Sequence, residues 1–239
     1  AVWSLADDMA PRGVVTHSSG NHGAALALAA RGRGIPCHVV VPDGAVRAKL
    51  AAIEHYGAIL QRCAATIAAR EALCAQVQGD TGATSVHPYT DPRVIAGQGT
   101  AALELLTAHP DLDALVVPLG GGGLAAGTAL AMRALAPNCQ LYLAEPEGAA
   151  DGARSFAKGA LDHDFTPDTI CDGLRGTLGA INFEILRATG ARVLTVGDTQ
   201  VVAAMRLLWT RTKQLVEPSS ATALAAVLAN RALFEGRRV

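Results

Sequence analysis

The stretch Val14-Val15-Thr16-His17-Ser18-Ser19-Gly20-Asn21-His22-Gly23 decides the fold class of this 239-residue chain. Val14–Thr16 is a short β-branched run typical of a buried strand, and the Ala- and Leu-rich residues Asn21–Ala30 are typical of a helix. The same order of apolar run, glycine-rich turn and helix recurs over Leu115–Leu135. This alternation predicts an α/β fold with doubly wound, mostly parallel sheets.

Similar patterns extend the prediction to the rest of the chain. Further strands are predicted at His38–Val41, Ala58–Gln61, Ser85–Val86, Leu115–Pro118, Gln140–Ala144 and Arg192–Val196, and helices at Arg47–Tyr56, Ala64–Val77, Val94–Thr107, Leu124–Leu135, Thr199–Leu215 and Ser219–Phe234. The segment Ala149–Gly179 has weak periodicity and is expected to be irregular. His87–Pro92 resembles a hinge, so we expect a small domain over 13–90 and a partial large domain over 91–239 together with 1–12.

The composition excludes several classes of protein. A formal net charge of -1 provides no basic stripe for nucleic acid. The mean hydropathy is +0.27, but no run of about 18 apolar residues predicts a membrane span. Five scattered cysteines without a Cys-x-x-Cys pair indicate reduced thiols and a cytoplasmic protein. The chain lacks an initiator Met and ends abruptly after a helix, so both ends are expected to be truncated.

Thr16–Gly23 is the densest polar cluster, and it lies where a strand gives way to a helix. Ligands bind at the carboxyl ends of strands in such sheets, and a helix N-terminus favours a carboxylate or phosphate. The alternative is that Ser19 or Asn21 only caps the helix while both histidines are solvated. A helix needs only one capping side chain, so the additional polar residues of this cluster favour a binding site.

Gly120–Gly123 is the second candidate site, again between a strand and a helix. Four glycines let the backbone approach a phosphate closely, whereas an ordinary turn needs only one or two. A dinucleotide site stays open as an alternative, because Gly121–Ala126 satisfies G-x-G-x-x-A and Glu145 ends the next strand.

Glu145 and Asp151 form the third candidate site. With an intervening backbone carbonyl they could provide oxygen ligands to Mg²⁺ or Ca²⁺. On spacing alone, two solvated surface acids are the favoured alternative.

These motifs together resemble a known family. Thr16–Gly23, Gly120–Gly123 and Asp172-Gly173 are similar to motifs of fold-type II pyridoxal-phosphate enzymes, which have a tryptophan-synthase-β-like fold. His87-Pro88, the string Val94-Ile95-Ala96-Gly97-Gln98-Gly99-Thr100, and Glu217-Pro218 resemble the serine racemase and serine/threonine dehydratase branch. The resemblance covers essentially the whole chain in collinear order, and it implies a homodimer.

The resemblance implies a role for each candidate residue. Pyridoxal phosphate would lie between the two domains. Its phosphate would be held by Gly120, Gly121, Gly122 and Gly123, its phenolic oxygen by Asn21, and its ring would be lined by Gly173. Ser19 resembles the catalytic acid/base, and the substrate-binding residues would be Ser18, Ser19, Asn21, His22 and Arg70. Glu145, the carbonyl of Ala149, and Asp151 match the family's divalent-cation ligands, which reverses the preference from spacing alone.

The implied activity is that of a dehydratase (an ammonia-lyase) acting on serine, threonine or 3-hydroxyaspartate. An amino-acid racemase on the same scaffold is the alternative. Gly176 stands where racemases carry a serine, which favours the dehydratase. A nicotinamide-dependent dehydrogenase and a non-catalytic remnant are the alternatives from other classes.

The chain departs from the family pattern in what it lacks. The family's Schiff-base lysine lies in a Ser-x-Lys-x-Arg-Gly motif, and none of Lys49, Lys158 and Lys213 has that context. The C-terminal Ser-Gly-Gly-Asn-like loop is also missing, so these 239 residues alone are expected to be inactive. Tyr56 and Lys213 resemble positions of an ATP effector site in animal racemases, although Ala24 replaces a glutamine there.

Overall fold

The structure is a computed structural model that describes residues 1–239, apart from the side chain of Ile67. The chain divides into unit 1, Ala1–Val94, and unit 2, Ile95–Val239. Within the described residues, no helix is long and apolar enough to cross a membrane.

Unit 1 is built on a four-stranded parallel sheet of order β3-β2-β1-β4. Its strands are β1 Val14–Thr16, β2 Cys37–Pro42, β3 Ile59–Cys63 and β4 Thr84–Ser85, and its helices are α1 Asn21–Arg33, α2 Arg47–His55 and α3 Ile67–Thr81. Alternate residues of β1 face two different cores. Val14 packs in a cluster with Ile53 of α2, and Val15 packs in a cluster with Val77 of α3. Burial on both faces explains why all three residues of β1 are β-branched and two of them are valines.

Unit 2 contains a three-stranded parallel sheet of order β5-β6-β7. Its strands are β5 Ala114–Pro118, β6 Gln140–Pro146 and β7 Arg192–Val196, and its helices are α4 Pro92–Ala108, α5 Gly123–Leu135, α6 Asp151–Lys158, α7 Ala180–Ala188, α8 Asp198–Thr212, α9 Pro218–Ala229 and α10 Arg231–Phe234; α4 begins in unit 1. Leu143 and Ala144 on β6 belong to separate core clusters, so this sheet is also covered on both faces.

The predicted α/β fold with parallel sheets is confirmed, and all seven predicted strands are present. Helix α6 lies inside the segment expected to be irregular, so that expectation is wrong there, and α7, which begins directly after the segment, was not predicted. The helix predicted over Ser219–Phe234 is broken at Asn230, whose backbone N–H bonds the carbonyls of Ala226 and Val227.

The division into units differs from the sequence-based boundaries. It falls between Val94 and Ile95 rather than near residue 90, and residues 1–12, which we assigned to the large domain, lie in unit 1. Val2 and Leu5 are buried in the unit 1 core. The guanidinium of Arg33 donates to the carbonyl oxygens of Val2 at 2.5 Å and Leu5 at 2.8 Å, which ties this segment to α1.

Candidate active site

The Thr16–Gly23 turn places two serines and two histidines at the start of α1. Gly20 is the N-cap of α1, and no side chain caps it in the described part of the chain. Ser18 Oγ instead accepts from the N–H of Gly20 at 3.4 Å, one residue before the helix. Neither Ser19 nor Asn21 therefore acts as the cap. A helix N-terminus without a side-chain acceptor is suited to a carboxylate of a ligand.

Gly23 allows the carbonyl oxygen of Ser18 to lie close to the first turn of α1. A Cβ at this position would lie 2.2 Å from the carbonyl oxygen of Ser18. The Ser18–Gly20 turn therefore folds back over the first turn of α1, which holds both serines beside the helix terminus.

His22 is an uncharged imidazole whose tautomer the structure defines. Burial lowers its pKa to about 4, opposed by a hydrogen bond to the backbone of Val86. Its Nε2 is buried and has no hydrogen-bond partner in the structure as described, so Nδ1 makes the bond to Val86. Since that bond raises the pKa, Nδ1 carries the proton and Nε2 is left as an acceptor.

The His22 pKa predicts how stability depends on pH. The folded value of about 4 lies below the ordinary 6.5, so between these pH values the unfolded chain binds a proton that the folded chain does not. Lowering the pH from 6.5 to 4 should therefore reduce the free energy of unfolding, by about 3 kcal/mol at most.

His22→Asn is the matched variant, because its amide can still donate to Val86 but does not titrate. Urea unfolding at several pH values should show a weaker acid dependence in His22→Asn. His17, His87 and Asp91 also act on His22, and they would maintain a residual dependence. Identical acid dependence in the two proteins would contradict the assignment.

His17 and His87 form an aromatic cluster with Tyr89. The ring centroids of His17 and His87 are 5.1 Å apart, and those of His87 and Tyr89 are 4.6 Å apart. Burial and then the charge of Arg70 lower the pKa of His17, so Arg70 acts on this cluster from α3. His17 and His22, the two histidines of the Thr16–Gly23 turn, are both half-buried, so the alternative in which both are solvated is wrong. Sequence inspection had not assigned a role to His87 or Tyr89.

His87 also fixes the turn that follows β4. Its Nδ1 accepts from the backbone N–H of Tyr89 at 3.4 Å and of Thr90 at 3.1 Å, so Nε2 carries the proton. His87→Asn places an oxygen where Nδ1 lies and should change the free energy of unfolding by less than about 0.5 kcal/mol. His87→Gln moves the acceptor outward and should cost about 1–2 kcal/mol. Equal urea midpoints for the two variants would contradict this role.

In unit 2, the Gly120–Gly123 loop joins β5 to the N-terminus of α5. Gly122 is the N-cap with φ 89°, and no side chain caps α5 within the described residues. The carbonyl of Gly121 accepts from Asn182 Nδ2 at 2.7 Å and from the N–H of Gly179 at 3.1 Å. The loop is therefore anchored through its carbonyl, and the first amides of α5 are left without a side-chain acceptor, an arrangement that fits a phosphate.

Gly173 lies against the same loop. A Cβ at Gly120 would lie 3.0 Å from Leu174 Cα and 3.4 Å from the carbonyl oxygen of Gly173. The N–H of Gly173 bonds Ser219 Oγ at 3.0 Å. The structure thus brings together the two parts of the predicted cofactor site that belong to unit 2. Ser219 was missed as a supporting residue, although it directly follows the Glu217-Pro218 motif.

Glu145 and Asp151 are both completely buried. Glu145 ends β6, and its two carboxylate oxygens accept from the N–H groups of Gly152 at 2.9 Å and Ala153 at 2.8 Å. Asp151 Oδ2 accepts from the N–H of Leu178 at 2.8 Å. The alternative of two solvated acids is therefore wrong.

The burial of the two acids makes their ionised forms unfavourable unless a positive charge lies nearby. Burial raises the pKa of Glu145 to about 8 and also raises that of Asp151. Buried carboxylates are stabilised by a cation. Asp151 Oδ1 is buried without a hydrogen-bond partner in the described structure, and Ala149 is buried as well. Among the described residues, no three or more His, Cys, Asp or Glu side chains are grouped so that they could hold a metal. The predicted site does not require such a group, because one of its three ligands is the backbone carbonyl of Ala149. These residues fit a divalent cation.

The geometry of Glu145 also weighs against a dinucleotide site. An acid that binds a ribose must be exposed to the ligand, whereas Glu145 is completely buried and its carboxylate is turned towards the backbone amides of α6.

Lys158 and Lys213 both have partners at the surface. Lys158 lies 3.7 Å from Asp162 and is 63% exposed, and Lys213 Nζ donates to the carbonyl of Thr210 at 2.7 Å.

Comparisons with known proteins agree with this geometry. The sequence profile of the family described as "Pyridoxal-phosphate dependent enzyme" matches residues 1–239. The chain is 45% identical to β-hydroxyaspartate dehydratase of Paracoccus denitrificans (strain Pd 1222) over 239 residues, which is all of this chain and 76% of that protein.

Solved structures show the same relationship. Maize serine racemase superposes with a TM-score of 0.95 and 42% identity, over 98% of this chain and 71% of that one. A threonine deaminase (T.th.) superposes with a TM-score of 0.91 and 41% identity, over 97% of this chain and 76% of that one. This chain belongs to the pyridoxal-phosphate-dependent enzyme family, and its fold is that of the fold-type II members.

Proposed function

We propose that the protein is a dehydratase that converts serine, threonine or 3-hydroxyaspartate to the corresponding keto acid and ammonia. The observation that carries this proposal is the 45% identity to a β-hydroxyaspartate dehydratase along the whole chain. Gly176, in place of the serine of racemases, supports the same choice.

The cofactor would be held by backbone groups of two loops of unit 2 and by Asn21 of α1. Gly120–Gly123 would bind the phosphate with the uncapped amides of α5, Gly173 would line the ring, and Asn21 would bond the phenolic oxygen. When bound, pyridoxal phosphate stabilises the negative charge left on the substrate after removal of its α-proton.

The α1 turn would bind the substrate. The uncapped N-terminus of α1 with Ser18, Asn21 and His22 would hold the α-carboxylate, and Arg70 would add a positive charge. Ser19 would transfer a proton at the α-carbon through its hydroxyl. Since His22 is neutral over the physiological range, it would act here as a hydrogen-bonding group.

A divalent cation, Mg²⁺ or Ca²⁺, would bind Glu145, Asp151 and the carbonyl of Ala149. The support is the complete burial of both acids and the unpartnered Asp151 Oδ1. Hard cations of this class prefer oxygen ligands of these kinds.

Further parts of the proposal rest on the family alone. The holoenzyme would be a cytoplasmic homodimer, and ATP would be an effector at Tyr56 and Lys213, with binding weakened by Ala24. The same scaffold supports a serine or aspartate racemase as the second candidate, because serine racemases superpose as closely as the threonine deaminase.

The test uses the holoenzyme expressed from the complete gene. Each stereoisomer of serine, threonine and 3-hydroxyaspartate is incubated with it, and keto acid, ammonia and the amino acid inverted at the α-carbon are measured. Keto acid and ammonia in equal amounts support the dehydratase. Formation of the α-inverted amino acid without ammonia supports the racemase, and inactivity of a holoenzyme that contains the family's lysine supports the non-catalytic remnant.

A further inference from the structure

Arg154 places a positive charge beside the buried acids of unit 2. It lies on α6, three residues after Asp151, and its charge lowers the pKa of both Glu145 and Asp151. Its Nη2 is buried and has no hydrogen-bond partner within the described part of the chain. The Arg154 side chain as a whole is 40% exposed, but this one nitrogen is buried, as is the unpartnered Oδ1 of Asp151 one helical turn earlier. Buried polar atoms are normally hydrogen-bonded, so the pair is unusual.

Two contacts hold Arg154 in this position. Its guanidinium carbon lies 5.2 Å from the centroid of the Phe165 ring, and its Nε lies 3.9 Å from Asp162 Oδ2. The same Asp162 oxygen lies 3.7 Å from Lys158 Nζ. One carboxylate is thus shared by two cations, so Asp162 leaves the Arg154 charge only partly compensated.

The charges at the site set up a competition. Glu145 and Asp151 together carry two negative charges when ionised, which a divalent cation would neutralise. Arg154 already provides one positive charge to the same pair. Repulsion between a fixed guanidinium and an incoming divalent cation lowers cation affinity, and it is only partly screened because one end of Arg154 is buried.

We propose that Arg154 is a built-in counter-charge of the Glu145–Asp151 site, which weakens binding of the divalent cation and keeps unit 2 folded without it. This inference rests on the cation site of the proposed function. Arg154 is on this account a positioning charge and not a cation ligand.

The test measures cation binding directly. The holoenzyme and its Arg154→Gln variant are stripped with a chelator and titrated calorimetrically with Ca²⁺ or Mg²⁺ alone. Arg154→Gln should bind the cation about tenfold more tightly or better. The Tm of each protein is also measured in chelator and at saturating cation. The difference between these two Tm values should be larger for Arg154→Gln than for the unsubstituted protein. Equal or weaker cation affinity in Arg154→Gln would overturn the proposal.

Three further variants separate charge from shape. Arg154→Lys keeps the charge and should bind cation like the unsubstituted protein; behaviour like Arg154→Gln would overturn the role of charge. Asp162→Asn removes the partner of Arg154 and should weaken cation binding, which provides a test of opposite sign if Arg154→Gln fails to fold. Adding Asp151→Asn to Arg154→Gln should abolish binding, and persistent binding would place the ion elsewhere and overturn the proposal.

Keto-acid formation is assayed on the same samples as a separate readout. A protein that binds cation as described but forms no keto acid would contradict the proposed function and support the role of Arg154. A protein that forms keto acid but binds no cation in either form would overturn the role of Arg154 alone.

Discussion

The Ser19→Ala holoenzyme, expressed from the complete gene, is expected to process one enantiomer of its amino-acid substrate about 100- to 10,000-fold more slowly. Ser19 lies in the turn that precedes α1, where it is half-buried and does not cap the helix. Its hydroxyl is therefore available for proton transfer on one face of the α-carbon. The measurement is the initial rate of keto-acid formation and of enantiomer inversion from each pure enantiomer.

Two controls accompany Ser19→Ala. Ser19→Thr keeps a hydroxyl and should retain more activity than the alanine variant. Ser4→Ala removes an exposed hydroxyl that bonds only the carbonyl of Ala1 among its described contacts, and it should leave both rates unchanged. Unchanged rates with both enantiomers in Ser19→Ala would remove Ser19 from the reaction.

Gly122→Ala should destabilise unit 2 and abolish retention of the cofactor. Gly122 has φ 89°, and a Cβ there would lie 2.7 Å from Leu178 Cδ1 and 2.9 Å from Asn182 Cβ. Left-handed strain and overpacking together should lower the free energy of unfolding by about 2–5 kcal/mol. The shifted loop would also displace the amides that hold the phosphate. Urea unfolding and equilibrium dialysis of pyridoxal phosphate measure the two effects.

Gly79→Ala is the control for Gly122→Ala. Gly79 lies inside α3, and a Cβ there would meet nothing within 4 Å. This variant should be slightly more stable, by about 0.5–1 kcal/mol, and should retain the cofactor. If Gly122→Ala bound pyridoxal phosphate as tightly as Gly79→Ala, the loop would not be the phosphate site.

The parallel strands were predictable because each is a short apolar run covered on both faces. In β1 and β2 every valine packs into a core, so the local pattern and the tertiary environment agree. Helix α6 was missed because its start depends on a distant group. The Glu145 carboxylate accepts hydrogen bonds from the N–H groups of Gly152 and Ala153, and no sequence pattern within 149–179 predicts that interaction.

The burial of Glu145 and Asp151 shows the limit of spacing arguments. Two acids six residues apart are usually solvated, and only the fold reveals the space that admits them. A Cβ at Gly152 would lie 2.8 Å from Glu145 Oε1, so this glycine lets the carboxylate reach the helix. Similarly, the sequence could not decide whether Ser19 or Asn21 caps α1, because helix capping and ligand binding favour the same residue types.

The most direct test of the proposed function is a time course by proton NMR in D₂O, with the holoenzyme and a single enantiomer of 3-hydroxyaspartate, together with an ammonia assay. We expect loss of the amino acid, appearance of its keto acid and release of ammonia in equal amounts. Accumulation of the diastereomer inverted at the α-carbon without ammonia, or an unchanged substrate when serine and threonine are also unreactive, would contradict it.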